Sequence, residues 1–108
     1  MQISVQHDAW NGSEASFRIE GAMTEHERRC AHGLVDFAAL MGRELNANKA
    51  KGSWDDLSVA DLALRAVAEI GELAEAIRSG QATDISSEAA DVANYCMMIA
   101  DSVAKTWR

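Results

Sequence analysis

Apolar residues recur at spacings of three and four through most of the chain, which is the period of an amphipathic helix. Thr24 followed by Glu27 forms a capping box and predicts where the first helix begins. The apolar pattern continues from there and ends near Asn46. Its predicted buried stripe is Cys30, Leu34, Phe37, Met41 and Leu45.

Two further helices are predicted after a connecting loop over residues 46–56. Ser58 with Asp61 caps the second helix, and Gly80 ends it. The third helix begins at Asp84 or Ser86 and runs close to the end of the sequence. The apolar stripe of the second helix is Val59, Leu62, Ala66, Ile70, Leu73 and Ile77. We therefore expect an all-α antiparallel helical bundle.

The third helix has apolar residues on most sides. One arc of roughly 120° holds two carboxylates among apolar residues: Glu88, Asp91, Val92, Tyr95, Met98 and Ile99. The opposite side is also apolar: Ala89, Ala93, Cys96, Ala100, Val103 and Trp107. Three helices of one chain would leave much of this surface uncovered, so a homodimer or homotetramer that completes the bundle is expected.

Residues 1–23 follow a different pattern. Weak alternation over Gln2–Gln6 and Ser16–Glu20, with Asn11 and Gly12 between them, is consistent with a short β-hairpin, and a loose arm is the alternative. Trp10 and Phe17 are its candidate packing residues. The predicted organisation is an N-terminal arm or hairpin over 1–23 and a helical domain over 24–108.

The net charge limits the kinds of partner that the protein is expected to bind. The 108 residues carry a formal net charge of −7, which argues against a nucleic-acid polymer as partner. A small polyphosphate remains possible if divalent cations lie between it and the protein. The start lacks a signal-peptide pattern, no run is long enough for a membrane span, and a cytoplasmic location is expected.

Cysteine and histidine offer no obvious metal site. Cys30 and Cys96 are far apart and lack the spacing of a zinc motif, so we expect two reduced thiols packed as small apolar residues. His26 and His32 have no further ligand at metal spacing and are interpreted as surface histidines.

Two acidic signatures, Glu69–Glu72 and Glu88–Asp91, flank the turn at Gly80. Each places two carboxylates three residues apart, hence on one face of a helix. At about 1.5 Å per residue, Glu72 and Asp91 lie within about one turn of each other if the helices fold back. Four carboxylates are therefore expected to converge.

A single such motif is usually a solvated surface, but Glu88 and Asp91 lie on an apolar arc. A buried carboxylate must be protonated, paired or metal-bound, and Arg65 is the only cation inside the second helix. Carboxylate ligands without Cys or His suit Mg²⁺ or Mn²⁺. A di-iron bundle is disfavoured, because neither motif contains histidine.

These motifs resemble a known family. The segments Glu69-Ile-Gly-Glu-Leu-Ala-Glu75 and Glu88-Ala-Ala-Asp-Val-Ala-Asn-Tyr95 resemble the ExxE and ExxD motifs of the all-α nucleoside triphosphate pyrophosphohydrolases of the MazG and dCTPase type. The surrounding Asn48–Trp54 and Ala93–Asp101 look like a small phage and bacterial subgroup. The likeness covers about residues 46 to 101.

The resemblance implies Mg²⁺-dependent hydrolysis of a nucleoside triphosphate, such as a dNTP, to a nucleoside monophosphate and pyrophosphate. The implied metal ligands are the four motif acids: Glu69, Glu72, Glu88 and Asp91. Trp54 could stack on the base and Tyr95 could line the pocket. Lys49 and Lys51, with Arg65 a weaker candidate, could add charge beside the phosphates, although solvated lysines are the alternative. Glu72 and Glu75 are the candidate general bases.

The chain departs from that family in three places. Many relatives have a Glu where this chain has Ala68, which would weaken one metal position. Longer relatives continue beyond the position of Arg108 into a basic segment, so Lys105 or a partner subunit would have to replace it. Residues 1–23 match nothing in the family.

Two other functions remain open at this stage. One is a non-catalytic helical dimer that serves as an interaction module. The other is a metal-dependent phosphatase acting on another phosphorylated metabolite, which would use the same acidic site and release different products.

Overall fold

The structure, a computed structural model, describes residues 2–6, 16–20 and 23–106, with side chains from residue 23 to 105. Three long helices dominate it, and the all-α prediction is confirmed. The chain divides into two compact units, residues 1–47 and 48–108. This division differs from the predicted one at residue 23, because the first helix groups with the segment before it.

The first unit contains a two-stranded antiparallel ribbon and a helix. Strands β1 (Gln2–Gln6) and β2 (Ser16–Glu20) pair in the register that sets Ser4 opposite Arg18. These are the segments in which the sequence predicts a hairpin. The predicted turn at residues 11–12, the side chain of Phe17 and all of Trp10 lie outside the described residues.

Helix α1 spans Glu25–Ala47, within one residue of the predicted bounds. The capping box forms as predicted: Thr24 N donates to Glu27 Oε1, and Glu27 N donates to Thr24 Oγ1, each at 3.1 Å. The predicted stripe is only partly correct. Phe37, Met41 and Leu45 are half-buried, but Cys30 and Leu34 are exposed. The fully buried positions are two small residues, Ala31 and Gly42.

Helix α2 of the second unit spans Val59–Ser79 and follows a short 3₁₀ turn at Lys49–Lys51. Its predicted ends are both correct. Ser58 Oγ accepts a hydrogen bond from Asp61 N at 3.0 Å, which satisfies one of the free amides of the first turn. Gly80 adopts a left-handed conformation (φ 79°, ψ 14°), and its N–H donates to the carbonyl of Ala76.

Helix α3 spans Ala82–Thr106 and begins earlier than predicted. The predicted start at Asp84 or Ser86 is wrong because the backbone bond from Ile85 N to Gln81 O already belongs to the first turn. Only Gly80 and Gln81 separate α2 from α3. The two helices therefore fold back on each other and pack as an antiparallel pair.

The buried side of α2 differs from the predicted stripe. Leu62, Ala66 and Ala76 are buried and Leu73 is half-buried, while the predicted core residues Val59, Ile70 and Ile77 are exposed. Alanine at two of the buried positions permits close approach of a neighbouring helix. The larger branched residues lie on the adjoining solvent-facing side. We call the exposed set the α2 apolar stripe; it comprises Val59, Val67, Ile70 and Ile77.

The second apolar side of α3, which one chain was not expected to cover, is partly exposed. Cys96, Ala100 and Val103 are exposed, while Ala89 and Ala93 are half-buried. Ala90 and Asn94 are buried. Trp107 lies outside the described residues.

The two cysteines are free, as predicted, but the expectation that they are packed in the interior is wrong, since Cys30 and Cys96 are both exposed. His26 and His32 are exposed, in agreement with their interpretation as surface residues, and His26 Nε2 lies 3.6 Å from Cys30 Sγ. Among the described helices, none has an apolar stretch that could cross a lipid bilayer.

Candidate metal and nucleotide site

Three of the four predicted ligands converge between α2 and α3. Glu69 on α2 and Glu88 and Asp91 on α3 each offer a carboxylate oxygen, and these oxygens all lie within 4.8 Å of one another. All three side chains are half-buried. We call them the acidic cluster. The antiparallel pairing explains it, because residues at equal distances from the Gly80 turn come level.

Glu69 is in an environment that disfavours its ionised form. Its Oε2 atom is buried and accepts no hydrogen bond from the described residues. Burial raises the pKa of the Glu69 carboxyl to about 7, assisted by a hydrogen bond with Glu72 and by the negative charges of Glu72, Asp91 and Glu88. Charge repulsion and desolvation thus both disfavour the ionised form. A bound cation would reverse both effects.

Glu72, the fourth predicted ligand, is outside the acidic cluster. It is exposed on α2, one turn after Glu69, and interacts with the Glu69 carboxyl from the solvent side. Glu75, the other candidate general base, points away into an exposed ion pair with Arg78 at 2.8 Å. Of the two, Glu72 is therefore the one next to the cluster.

The predicted phosphate-binding cations are on the surface. Lys49 and Lys51 lie in the 3₁₀ turn, Arg65 lies on α2, and all three side chains are exposed. No described hydrogen bond or ion pair joins Glu69 to any of them. Exposed side chains of this length can reorient towards an anion without cost to the fold.

Two residues of α3 adjoin the cluster along the helix. Tyr95 is half-buried one turn after Asp91. Asn94 is 4% exposed and was missed by the sequence reasoning. The sequence does contain a signal for it. An amide side chain between Ala93 and Tyr95 on a buried helix face is costly unless it has a polar role.

Trp54 takes part in a second polar group at the other end of the helix pair. Its indole Nε1 donates to Asp101 Oδ2 at 3.1 Å, and Lys105 Nζ lies 5.9 Å from the centre of its ring. Lys105 Nζ also contacts Asp55 Oδ1 at 2.7 Å and Asp101 Oδ2 at 3.0 Å. We call these four residues the Trp54 cluster.

One lysine, Lys105, is shared by the two carboxylates of the Trp54 cluster. The hydrogen bond from Lys105, together with one from Ser53, holds the pKa of Asp55 below its usual range. Hydrogen bonds to Asp55 and Asp101 raise the pKa of Lys105. The sequence analysis singled out Trp54 and Lys105 but missed two aspartates that they contact. Asp101 is 47 residues from Trp54, and Asp55 is 50 residues from Lys105.

The two clusters lie along one helix. Asp101 follows Asp91 by ten residues on α3, which corresponds to about 15 Å along the helix axis. Comparison of the chain with family models, with curated proteins and with solved structures finds no match. The geometry of the two clusters is accordingly the basis for any statement about function.

Proposed function

We propose that this protein is a Mg²⁺-dependent nucleoside triphosphate pyrophosphohydrolase that acts on dNTPs or NTPs and releases a nucleoside monophosphate and pyrophosphate. The observation that carries the proposal is the acidic cluster. Three carboxylate oxygens from two helices lie within 4.8 Å of one another, and the Oε2 atom of Glu69 is buried without a hydrogen-bond donor among the described residues.

The donor set fits a hard divalent cation. All three candidate ligand groups are carboxylates, and neither histidine nor cysteine takes part in the described cluster. Such oxygen ligands suit Mg²⁺ or Mn²⁺, which keep positions free for substrate phosphates. When bound, the cation would supply the positive charge that neutralises the phosphate oxygens during hydrolysis.

The chain's own residues have distinct parts in this proposal. Glu69, Glu88 and Asp91 would hold the cation between α2 and α3. Glu72 is exposed at the edge of the cluster, within hydrogen-bonding distance of Glu69, where a carboxylate can accept a proton from an attacking water. Glu75 is less suited to that part because Arg78 already neutralises it.

Positive charge for the triphosphate would come from the surface. Lys49 and Lys51 are exposed and flexible, and we propose them as candidate contacts for the triphosphate. The net charge of −7 makes a cation between protein and substrate necessary in any case, since an acidic surface repels a polyphosphate.

We further propose that the active form is a homo-oligomer. The α2 apolar stripe exposes four large hydrophobic side chains, with exposed fractions from 42% at Val59 to 65% at Val67. At 100° per residue these four lie within an arc of about 80°. A continuous apolar face of this kind is typical of an interface between protein chains.

The same stripe favours one alternative, a non-catalytic helical module whose function is association. Such a module has no need for a buried, uncompensated carboxylate in its helix interface. It predicts that nucleotide and Mg²⁺ together leave the melting temperature unchanged, whereas binding to the folded state raises it.

The test is a panel of the eight common NTPs and dNTPs, assayed with Mg²⁺ and with EDTA, in which monophosphate, pyrophosphate and orthophosphate are each quantified. Metal-dependent release of monophosphate with pyrophosphate is the expected result. Release of orthophosphate alone would indicate a phosphatase. No turnover by folded, oligomeric protein, together with no thermal shift, would overturn the proposal and favour the association module.

A further inference from the structure

The Trp54 cluster fixes an aromatic ring that would otherwise be mobile. Trp54 lies in the loop before α2, in a turn closed by the hydrogen bond from Leu57 N to Trp54 O at 3.1 Å. A loop tryptophan held only by its backbone could rotate about its side-chain bonds. Here the bond from its indole N–H to Asp101 Oδ2 fixes the ring against α3.

Asp101 is in turn fixed by Lys105. These two residues are one helical turn apart on α3, and Lys105 Nζ contacts Asp101 Oδ2 at 3.0 Å. The same ammonium reaches back to Asp55, the residue after Trp54, at 2.7 Å. The tryptophan is thus connected to α3 by two routes, one through its indole and one through its neighbour in the loop.

The position of the ring suits one particular part of a nucleotide. The helix segment from Asp91 to Asp101 is about 15 Å long, comparable with an extended nucleoside triphosphate from its terminal phosphate to its base. A nucleotide that lies along α3 with its phosphates beside the acidic cluster would therefore have its base near Trp54. Aromatic side chains bind bases by stacking, and the strength depends on the orientation of the ring.

We propose that Asp101 and Lys105 are positioning residues that hold the Trp54 indole as the stacking surface for the base of the substrate. This inference rests on the proposed function. Asp101 does not touch the reacting phosphates, and it acts through the indole N–H. It follows that loss of Asp101 should weaken substrate binding and leave the chemical step nearly unchanged.

The first experiment compares KM and kcat for the preferred nucleotide in wild type, Asp101→Ala, Asp101→Asn and Trp54→Phe. Asp101→Ala should raise KM about fivefold to tenfold, because it loses part of the binding free energy of one base-stacking contact. The kcat of this variant should stay within about twofold of wild type. Asp101→Asn retains an oxygen that can accept the indole bond and should recover most of the loss. Asp84→Ala is the matched control, because Asp84 is an exposed aspartate on the same helix.

A double-mutant cycle separates positioning from a general structural effect. Phenylalanine at position 54 keeps an aromatic ring but has no N–H, so the bond to Asp101 is already absent. Asp101→Ala should then add little to the KM of Trp54→Phe. Additive effects, or an unchanged KM in Asp101→Ala with a lower melting temperature and kcat, would show that the cluster only stabilises the fold and would overturn the inference.

A binding measurement keeps the inference testable if wild type shows no turnover. Tryptophan fluorescence is titrated with the four deoxynucleoside monophosphates in EDTA, and the Trp54→Phe signal is subtracted to remove Trp10 and Trp107. Quenching that Asp101→Ala weakens would support the base-stacking site even though the proposed hydrolysis had failed. Absence of quenching by all four would overturn the stacking site itself.

Discussion

Glu69 of α2 and Asp91 of α3 are each eleven residues from Gly80, and their carboxylate oxygens lie within 4.8 Å of each other. The equal separation is what brings them level, because both helices rise by the same distance per residue away from the turn. Two carboxylates this close repel each other unless a proton or a cation lies between them. The first two predictions test these two alternatives.

Asp91→Asn should abolish the response of the protein to Mg²⁺. In wild type, Mg²⁺ at about 100 times its dissociation constant should stabilise the folded state by about 2.7 kcal/mol, which is a rise of several degrees in melting temperature. The asparagine variant loses one ligand charge, so its melting temperature should stay the same with and without Mg²⁺. Thermal unfolding in both conditions checks this.

The matched control for that variant is Asp84→Asn, an exposed aspartate in the first turn of α3. It should retain the full Mg²⁺ response. A response retained equally in both variants would mean that Mg²⁺ acts through general screening of the net negative charge, and the acidic cluster would not be its site.

Stability of the metal-free protein should depend on Glu69 between pH 4.5 and about 7. The pKa of this carboxyl is about 7 in the folded state against an ordinary value of 4.5, so the folded state binds a proton in this window that the unfolded state has released. The contribution of this proton to the free energy of unfolding is fully present below pH 4.5 and is lost as the pH rises through 7.

Melting temperatures in EDTA at half-unit pH steps, for wild type and Glu69→Gln, test this. The melting temperature of Glu69→Gln should rise relative to that of wild type as the pH increases from 5 to 8, because glutamine cannot ionise. A difference that stays constant across this range would contradict the perturbed titration of Glu69.

Gly80→Ala should destabilise the helix pair by about 1–2 kcal/mol, since alanine is strained in the left-handed conformation that ends α2. Gly71→Ala provides the opposite case. Gly71 is exposed in the middle of the same helix with no atom within 4 Å of an added methyl group, so alanine there should stabilise by about 0.5–1 kcal/mol. Urea unfolding of the two variants should shift the midpoint in opposite directions.

Association should depend on the α2 apolar stripe. Ile70→Lys and Ile77→Lys each place a charge on this face and should shift the protein towards monomer in analytical ultracentrifugation. Leu64→Lys is the control, because Leu64 is more exposed than either isoleucine but lies about 120° from Ile70 around the helix. If all three variants retain the wild-type sedimentation, the stripe is not the interface.

The helix boundaries could be predicted where local chemistry decides them. Thr24 with Glu27 and Ser58 with Asp61 form the hydrogen bonds that their spacing predicts, because a cap involves only neighbouring residues. The start of α3 differs from the predicted one for a similar reason. Gln81, the residue before this helix, is not one of the residue types that favour the N-cap, so no local signal marks the first turn.

The buried faces could not be predicted as well. Ile70 and Ile77 are more apolar than Ala66 and Ala76, yet the alanines are buried and the isoleucines exposed. The spacing of apolar residues locates a helix and the two adjoining apolar stripes on its surface. It does not identify which stripe packs against the neighbouring helix. In α2 the stripe with small residues does so.

The candidate site was likewise predictable only in part. Glu69, Glu88 and Asp91 were predicted to converge from spacing and from one turn, and they do. Glu72 is level with Glu88 when residues are counted from Gly80, but its side chain is exposed at the edge of the cluster. The contacts from Trp54 to Asp101 and from Lys105 to Asp55 escaped prediction because they join residues 47 and 50 positions apart. Local sequence patterns do not indicate contacts across such separations.

The two-residue connection at Gly80 holds α2 and α3 together at one end only. At the opposite end the helices are held by contacts across 47 and 50 residues, Trp54 to Asp101 and Asp55 to Lys105. Transient opening should therefore start at this far end and reach the acidic cluster later. Amide hydrogen exchange should be faster beside Trp54 than near Glu69, so that a ligand could enter at the opening end without disturbing the carboxylates.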